Sequence, residues 1–136
     1  SLHRHTIPRS RHGPCCAERD VLYVPGIMTP TEAREAHRLG VPLVKLFPAS
    51  TVGPAHLKSI LAPMPYLRVM PTGGIAMDED SLVAWATAGA SIVGLGSSLV
   101  PSSLASDADL SEVEGHCRRA LGIIREHRRH DRADVA

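Results

Sequence analysis

Lysine, aromatic residues and cysteine are all scarce in this chain of 136 residues. Lysine occurs only at Lys45 and Lys58 among 15 basic residues, and the aromatic residues are one Trp, two Tyr and one Phe. The core is therefore predicted to consist mainly of small and branched aliphatic side chains. Three cysteines, two of them adjacent, favour free thiols in a reducing, cytoplasmic compartment over a disulfide framework.

Long apolar runs are absent as well. No stretch approaches 18 consecutive apolar residues, so we predict no transmembrane helix and no membrane partner. The first residues mix arginine and histidine without an apolar segment, so no secretory signal is expected. With 43% hydrophobic and 21% charged residues, the composition is typical of one globular domain.

Charge is distributed unevenly along the chain. Residues 1–14 contain three arginines and no acid, residues 15–117 contain six basic and eleven acidic residues, and residues 118–136 contain six arginines and three acids. We predict a disordered Arg/His-rich stretch at 1–14, a globular body at 15–128 and a polar tail at 129–136. Since a nucleic-acid interface needs a basic patch on the folded domain, this distribution argues against a nucleic-acid partner.

Four short apolar runs recur at intervals of 21 to 25 residues, which is the repeat of a strand–loop–helix unit. Because the runs are nearly continuous rather than alternating, they predict strands covered on both faces, as in a parallel sheet. The predicted strands are Val21–Pro25, Pro42–Phe47, Leu67–Pro71 and Ser91–Leu95.

Helix signals fill the intervals between these runs. Thr29 to Glu32 forms a capping box with proline at the first helical position, and Asp78 is a predicted N-cap. Gly40 and Gly89 are predicted to end the helices that these residues begin. A further helix is predicted over 54–62. A second capping box at 111–114 is predicted to open a last helix that ends after about residue 128 and buries Val113, Cys117, Leu121 and Ile124.

Four βα units form either an open doubly wound sheet or part of a (β/α)8 barrel. A complete barrel typically takes about 250 residues. The fold class predicted is therefore α/β with four parallel βα units, which can supply only half of such a barrel.

Lys45 is the most informative single residue. It lies inside the apolar run Leu43–Phe47, where a charged side chain is costly unless it is paired or neutral. A neutral amine is the nucleophile that forms an imine with a carbonyl substrate. The alternative is a lysine that reaches solvent from a strand end or pairs with a glutamate. Lys58 falls on the exposed side of a predicted helix.

Two glycine loops follow successive strands, at Gly73–Gly74 and at Gly96–Ser97. Backbone N–H groups in such loops bind anions, and phosphate sites in barrels often use the loops after the last two strands. The alternative is that these glycines only satisfy turn geometry.

Metal and hydrolase chemistry are not supported by the spacing of the residues. His37 and His56 fall on predicted helices without a partner at metal-ligand spacing, so we expect no metal site. The Ser97–Ser98 pair has no nearby His/Asp arrangement for a triad.

Taken in order, four segments resemble the class I KDPG/KHG aldolase family, which cleaves 2-keto-3-deoxy-6-phosphogluconate or 4-hydroxy-2-oxoglutarate to pyruvate and an aldehyde. The segments are Val24–Ala33, Val44–Ala49, Pro71–Ile75 and Gly96–Val100, and the resemblance covers roughly residues 16–124.

The resemblance implies a role for each matching residue. Lys45 corresponds to the Schiff-base lysine. Phe47 and Pro48 correspond to residues at the pyruvate end of the pocket, and Thr72 corresponds to a substrate contact. Pro25 and Gly26 correspond to the bend after the fifth barrel strand. Gly73, Gly74 and Ser97 correspond to residues of the phosphate loops. The family fold is a (β/α)8 TIM barrel, typically a homotrimer, and the resemblance implies that this chain supplies its C-terminal half, strands five to eight. The family chemistry uses a small keto-acid or phosphosugar substrate and no metal or cofactor.

The resemblance also implies that two functional residues of the family have no counterpart in this sequence. In the family, a glutamate acting as acid and base and a carboxylate-binding arginine come from the first half of the barrel. Glu18 and Glu32 are not at that glutamate position, and residues 1–14 do not match the preceding family segment. Two alternatives to an active aldolase therefore stay open, namely an inactive half barrel that only binds ligands and an unrelated phosphate-binding module. Unpaired sheet edges predict self-association or poor solubility of the isolated chain.

Overall fold

The computed structural model describes residues 15–16, 18–100 and 107–133, with side chains described from residue 110 to 127 in the last of these ranges. Strands and helices alternate along the chain, except that two helices follow the last strand. The elements are β1 (Gly26–Ile27), α1 (Pro30–Arg38), β2 (Val44–Leu46), α2 (Ala49–Leu61), β3 (Val69–Pro71), α3 (Glu79–Thr87) and α4 (Asp107–Ala133). The predicted segment at 1–14 lies outside the described residues.

The three strands form one parallel sheet in the order β1-β2-β3, which is also their order in the sequence. Lys45 is in register with Gly26 on one side and with Met70 on the other. An isolated parallel bridge between Thr72 and Gly94 continues the sheet toward the fourth apolar run. The α/β class with a parallel sheet is therefore confirmed.

The first predicted strand, Val21–Pro25, is wrong in position, since the strand lies at Gly26–Ile27. Val21 and Leu22 are 56% and 64% exposed instead of buried. The hydrogen-bond ladder explains the shift, because Lys45 N–H and Phe47 N–H donate to the Pro25 and Ile27 carbonyls, so the next bond upstream would need a donor N–H at residue 25. Proline has no N–H to donate to a ladder.

The fourth predicted strand, Ser91–Leu95, is reduced to the bridge at Gly94. Its backbone still follows β3, because Ser91 N–H donates to the Val69 carbonyl and Gly94 N–H to the Pro71 carbonyl, each at 2.9 Å. Both shortened strands lie at an edge of the three-stranded sheet, where a strand has a partner on one side only.

Capping signals located the first and third helices correctly. In α1, the Thr29 side chain accepts from Glu32 N–H, the Glu32 side chain accepts from the Thr29 backbone, and Gly40 follows with φ +75°. In α3, the Asp78 side chain accepts from Ser81 N–H at 2.8 Å. Local sequence is sufficient for these boundaries because a cap involves residues only two or three positions apart.

Helix α2 begins five residues before the predicted start at Pro54. It consists of two parts separated by Gly53, whose φ of 75° and ψ of 170° are not helical. Pro54 follows the break directly, where its missing N–H costs no helical hydrogen bond. The predicted segment is therefore the second part of α2.

The prediction for the last helix is wrong at both ends. Helix α4 begins at Asp107, so the predicted capping box at Ser111 lies inside it, and the helix continues past residue 128 to Ala133. Arginine is a good helix former, which accounts for the extension through the Arg-rich segment. Leu121 is 51% exposed, and Ala120 is buried in its place.

The core lies on one face of the sheet. Val44, Leu46 and Val69 are fully buried there and belong to one apolar cluster with residues of the helices. The helical members include Leu57, Ile60, Leu82, Trp85 and Ala120. Within the described residues, no helix is both long and apolar enough to span a membrane.

Candidate active site

Lys45 lies in the middle of β2, on the face of the sheet opposite the core. The burial pattern of β2 places Val44 and Leu46 in the core and leaves Lys45 half-buried, as the two-residue period of a strand requires. Its register neighbours Gly26 and Met70 share this face. We call Gly26, Lys45 and Met70 the lysine face. Because Gly26 has no side chain, space is left beside the lysine.

The ring of Phe47 lies next to the amine. Phe47 is two residues beyond Lys45, so it projects to the same side of the sheet. Lys45 Nζ is 4.7 Å from the centroid of the ring, within the range of a cation–π contact. Phe47 is nevertheless 51% exposed. The amine is therefore bordered by an aromatic ring whose remaining surface is accessible.

Backbone hydrogen bonds join the loops that follow β2 and β3. Ala49 N–H donates to the Thr72 carbonyl at 2.8 Å, and Ser50 N–H donates to the Gly73 carbonyl at 3.0 Å. In addition, Thr72 N–H donates to the Leu46 carbonyl at 3.0 Å. The carboxyl ends of the two strands are thereby held together as one rim, which is where parallel α/β folds bind ligands.

A cavity of about 140 Å³ lies at this rim. It brings together the two glycine loops that the sequence singled out, although they are more than 20 residues apart in the chain. Its lining residues are Thr72, Gly73, Gly74, Ile75, Gly96, Ser97 and Ser98. Backbone amides and serine hydroxyls are the groups that bind phosphate oxygens without a metal.

The two prolines predicted for the site hold the backbone near Lys45. The Pro25 carbonyl accepts from Lys45 N–H at 2.8 Å, which fixes the lysine backbone against β1. Pro48 is half-buried and precedes the first turn of α2, where its carbonyl accepts from Thr51 N–H at 3.3 Å.

Glu32 and His56 hold the loop that follows β1. The Glu32 carboxylate accepts from Met28 N–H at 2.9 Å and from Thr29 N–H at 2.8 Å, and the Thr29 hydroxyl also donates to it. The Met28 hydrogen bond, followed by that from the Thr29 hydroxyl, lowers the pKa of Glu32 from its ordinary value of 4.5. The His56 Nε2–H donates to the Met28 carbonyl at 2.8 Å. Glu32 is thus occupied in a helix cap.

Gly94 is a site residue that the sequence reasoning missed. A Cβ at this position would collide with Thr72 Oγ1 and would lie 3.0 Å from Thr72 Cγ2. The absence of a side chain at Gly94 therefore leaves space for Thr72, on the same side of the sheet as Lys45. A glycine inside an apolar strand pattern is the available signal, since it often marks a close approach.

Ser50 is a second residue that the sequence reasoning missed. A Cβ on Gly74 would lie 2.5 Å from Ser50 Oγ, so the serine hydroxyl borders the glycine loop. No local pattern predicts this contact, because it depends on how α2 docks against the loop after β3.

No group of three or more His, Cys, Asp or Glu that could hold a metal ion occurs in the part of the chain that the structure describes. Two larger hollows, of about 450 and 580 Å³, lie away from the lysine face. The larger one is lined by Lys58, Tyr66 and Arg68 among others and lies near the start of β3, at the opposite end of the strand from the glycine loops.

A protein family and several known proteins are similar to this chain over most of its length. The family model described as "Aldolase: KDPG and KHG aldolase" matches residues 12–116. The 2-dehydro-3-deoxy-phosphogluconate aldolase of Pseudomonas aeruginosa is 36% identical over 116 residues, which are 83% of this chain and 51% of that protein.

Solved structures of aldolases have a similar fold. The native KDPGal structure has a TM-score of 0.72 at 26% identity and covers 83% of this chain and 52% of its own. The 2-keto-3-deoxy-6-phosphogluconate aldolase of Zymomonas mobilis, solved with 3-phosphoglycerate, has a TM-score of 0.62 at 25% identity, covering 79% of this chain and 50% of its own. The chain spans about half the length of the relatives that it matches.

Proposed function

Since this chain belongs to the KDPG and KHG aldolase family, we propose that it carries the lysine-bearing half of a class I aldolase site. The reaction is the cleavage of 2-keto-3-deoxy-6-phosphogluconate or 4-hydroxy-2-oxoglutarate to pyruvate and an aldehyde. The observation that carries the proposal is the placement of Lys45, half-buried on the lysine face with its amine beside Phe47.

In this proposal, the fold is the second half of a (β/α)8 barrel. Strands β1, β2 and β3 and the segment at Gly94 correspond to barrel strands five to eight. Their strictly sequential parallel order supports the assignment, because the strands of a barrel wall follow one another in chain order. In a doubly wound sheet the order reverses at a switch point.

The chemistry begins at Lys45 Nζ. The neutral amine attacks the C2 ketone of the substrate and expels water, which leaves an iminium ion. A base removes the proton of the C4 hydroxyl, the C3–C4 bond breaks, and its electron pair moves to the nitrogen to form an enamine and release the aldehyde. Protonation of the enamine at C3 and addition of water then release pyruvate and regenerate the amine.

The glycine-loop cavity is proposed to bind the substrate phosphate. Strands lie about 4.8 Å apart and rise about 3.3 Å per residue, so the register of Lys45 with Met70 places the Lys45 and Thr72 Cα atoms about 8 Å apart. This separation is comparable to the span of a six-carbon keto acid. One substrate could therefore contact Lys45 at its keto end and the loops of Gly73–Gly74 and Gly96–Ser97 at its phosphate end.

The acid and base for the cleavage step are proposed to come from outside this chain. Neither the three strands nor the residues lining the cavity include Asp or Glu. Glu32, in the first turn of α1, is engaged by Met28 and Thr29. A positioned general base typically contributes about 10²–10⁴-fold to a rate, so cleavage by this chain alone is expected to be slower by that factor.

The proposal is tested by trapping pyruvate on the protein with borohydride, which reduces the imine to a stable secondary amine. The chain contains two lysines, so Lys58 is a built-in control. We expect mass spectrometry to show one pyruvate adduct on the wild-type chain and on Lys58→Arg. Lys45→Arg is expected to show none, because a guanidinium does not form the imine.

Loss of the adduct in Lys58→Arg, or an adduct that persists in Lys45→Arg, would contradict the assignment. Absence of any adduct from a folded wild-type chain would favour the second candidate function, a half barrel that only binds keto-acid or phosphorylated ligands. That candidate is supported by the lack of Asp and Glu on the strands and in the cavity lining.

A further inference from the structure

We infer that Gly73 is a positioning residue for the imine end of the site, because it gives the ring of Phe47 the space it occupies beside Lys45. This inference rests on the proposed function and changes the role of Gly73. Gly73 then leaves space for the ring of Phe47, in addition to any contact of its backbone with phosphate.

The contact between Gly73 and Phe47 is unusually close. A Cβ built on Gly73 would lie 2.8 Å from Phe47 Cε2 and 3.0 Å from Cδ2, well inside van der Waals distance. It would also lie 3.7 Å from Pro48 Cα, so the ring edge rather than the backbone is the main obstacle. Any side chain at position 73 therefore requires Phe47 to move.

Displacing the ring affects the amine, because Phe47 links the two positions. The ring centroid is 4.7 Å from Lys45 Nζ on one side, and the ring edge contacts the position of the Gly73 Cβ on the other. Since Phe47 is 51% exposed, burial alone does not hold the ring in this orientation. Movement away from Gly73 shifts the ring relative to the amine or into the space where a keto acid would bind.

The neighbouring glycine has a different environment. A Cβ on Gly74 would meet Ser50, with 2.5 Å to Oγ and 2.6 Å to Cβ, and Phe47 is not among its nearest atoms. The two consecutive glycines thus contact different parts of the site. Gly73 is coupled to Phe47 and Lys45, whereas Gly74 is coupled to α2 through Ser50.

The test measures the rate at which pyruvate is trapped on Lys45 by borohydride, as a function of pyruvate concentration. Pyruvate has no phosphate, so a defect in phosphate binding does not slow this reaction. Gly73→Ala is expected to slow trapping by about 10- to 100-fold, the cost of a misplacement of about 1 Å at a reacting centre. Gly40→Ala is the matched control, because Gly40 also has a positive φ, of 75°, and a Cβ there meets nothing within 4 Å.

A double-mutant cycle with Phe47→Ala separates this role from general strain at position 73, where φ is +95°. Removing the ring removes the collision, so Gly73→Ala is expected to have no further effect on the trapping rate in the Phe47→Ala background. Phe47→Ala alone is expected to slow trapping, and this variant remains informative if Gly73→Ala does not fold.

Three results would overturn the inference: wild-type trapping rates in folded Gly73→Ala, wild-type rates in Phe47→Ala, or effects of the two substitutions that multiply in the double variant. Failure of the proposed function has a different signature, because the wild-type chain itself would then form no adduct.

Discussion

At the scale of single residues, Lys45 was recognisable because it is a charged residue inside an apolar run, and its role depends on the alternation of β2. Val44 and Leu46 enter the core, which places Lys45 on the opposite face. The sequence, through the family resemblance, also named Phe47 for the site, but it did not predict that Phe47 packs against Gly73, since these two residues are 26 positions apart in the chain. A contact of this kind follows from the packing of two loops and leaves no local pattern.

A prediction at this scale concerns Ser97 in the glycine-loop cavity. If its hydroxyl binds phosphate, Ser97→Ala is expected to weaken the binding of 3-phosphoglycerate by about 0.5–1.5 kcal/mol, which corresponds to roughly a 2- to 13-fold rise in Kd. Isothermal titration calorimetry on the two proteins measures this difference.

Ser59→Ala is the control for that experiment, because the Ser59 hydroxyl donates to the Ala55 carbonyl within α2 and does not line the cavity. Equal affinities in wild type and Ser97→Ala would remove this serine from the phosphate site.

At the scale of secondary-structure elements, boundaries defined by caps were predictable and boundaries defined by packing were not. The cap of α1 involves Thr29 and Glu32, which are close in sequence. By contrast, the burial of Ala120 in place of Leu121 depends on tertiary packing, including the contact of α4 with α3. The shortened strand at Gly26–Ile27 likewise depends on its register with β2.

The lowered pKa of Glu32 gives a prediction at this scale. Its carboxylate accepts hydrogen bonds from Met28 and Thr29 only in the folded state, so the folded-state pKa lies below the unfolded-state pKa. The resulting stabilisation is present above the unfolded value, near 4.5, and is lost as the pH falls through the folded value. Glu32→Gln is therefore expected to reduce stability at pH 7 and to make little difference well below pH 4.5.

Urea unfolding of both proteins at neutral and acidic pH measures this effect. Because Glu32 is exposed and its interactions are screened, we expect the difference at pH 7 to be about 1 kcal/mol or less. A difference that stays constant across the pH range would show that the titration of Glu32 does not contribute.

At the scale of the whole molecule, the described strands and loops form one continuous parallel sheet with a cavity at its carboxyl edge. The strands follow in sequence order, the glycine loops meet at one end, and the chain spans about half the length of its relatives. Periodicity predicted the parallel strands in sequence order, whereas the half of a barrel that four βα units of about 24 residues would fill stays a proposal. The predicted self-association through the open sheet edges stays a prediction, as does the homotrimer that is typical of the family.

The central proposal is that Lys45 forms the imine, whereas the strands and cavity lining that the structure describes supply no carboxylate base to break the carbon–carbon bond. It is tested most directly by adding 2-keto-3-deoxy-6-phosphogluconate and borohydride to the isolated chain and identifying the adduct by peptide mass spectrometry. We predict that Lys45 carries the intact six-carbon phosphorylated acid, because reduction outpaces the slowed cleavage. A pyruvate-sized adduct on Lys45 would contradict the absence of the base, and a folded chain with no adduct on Lys45 would contradict the imine itself.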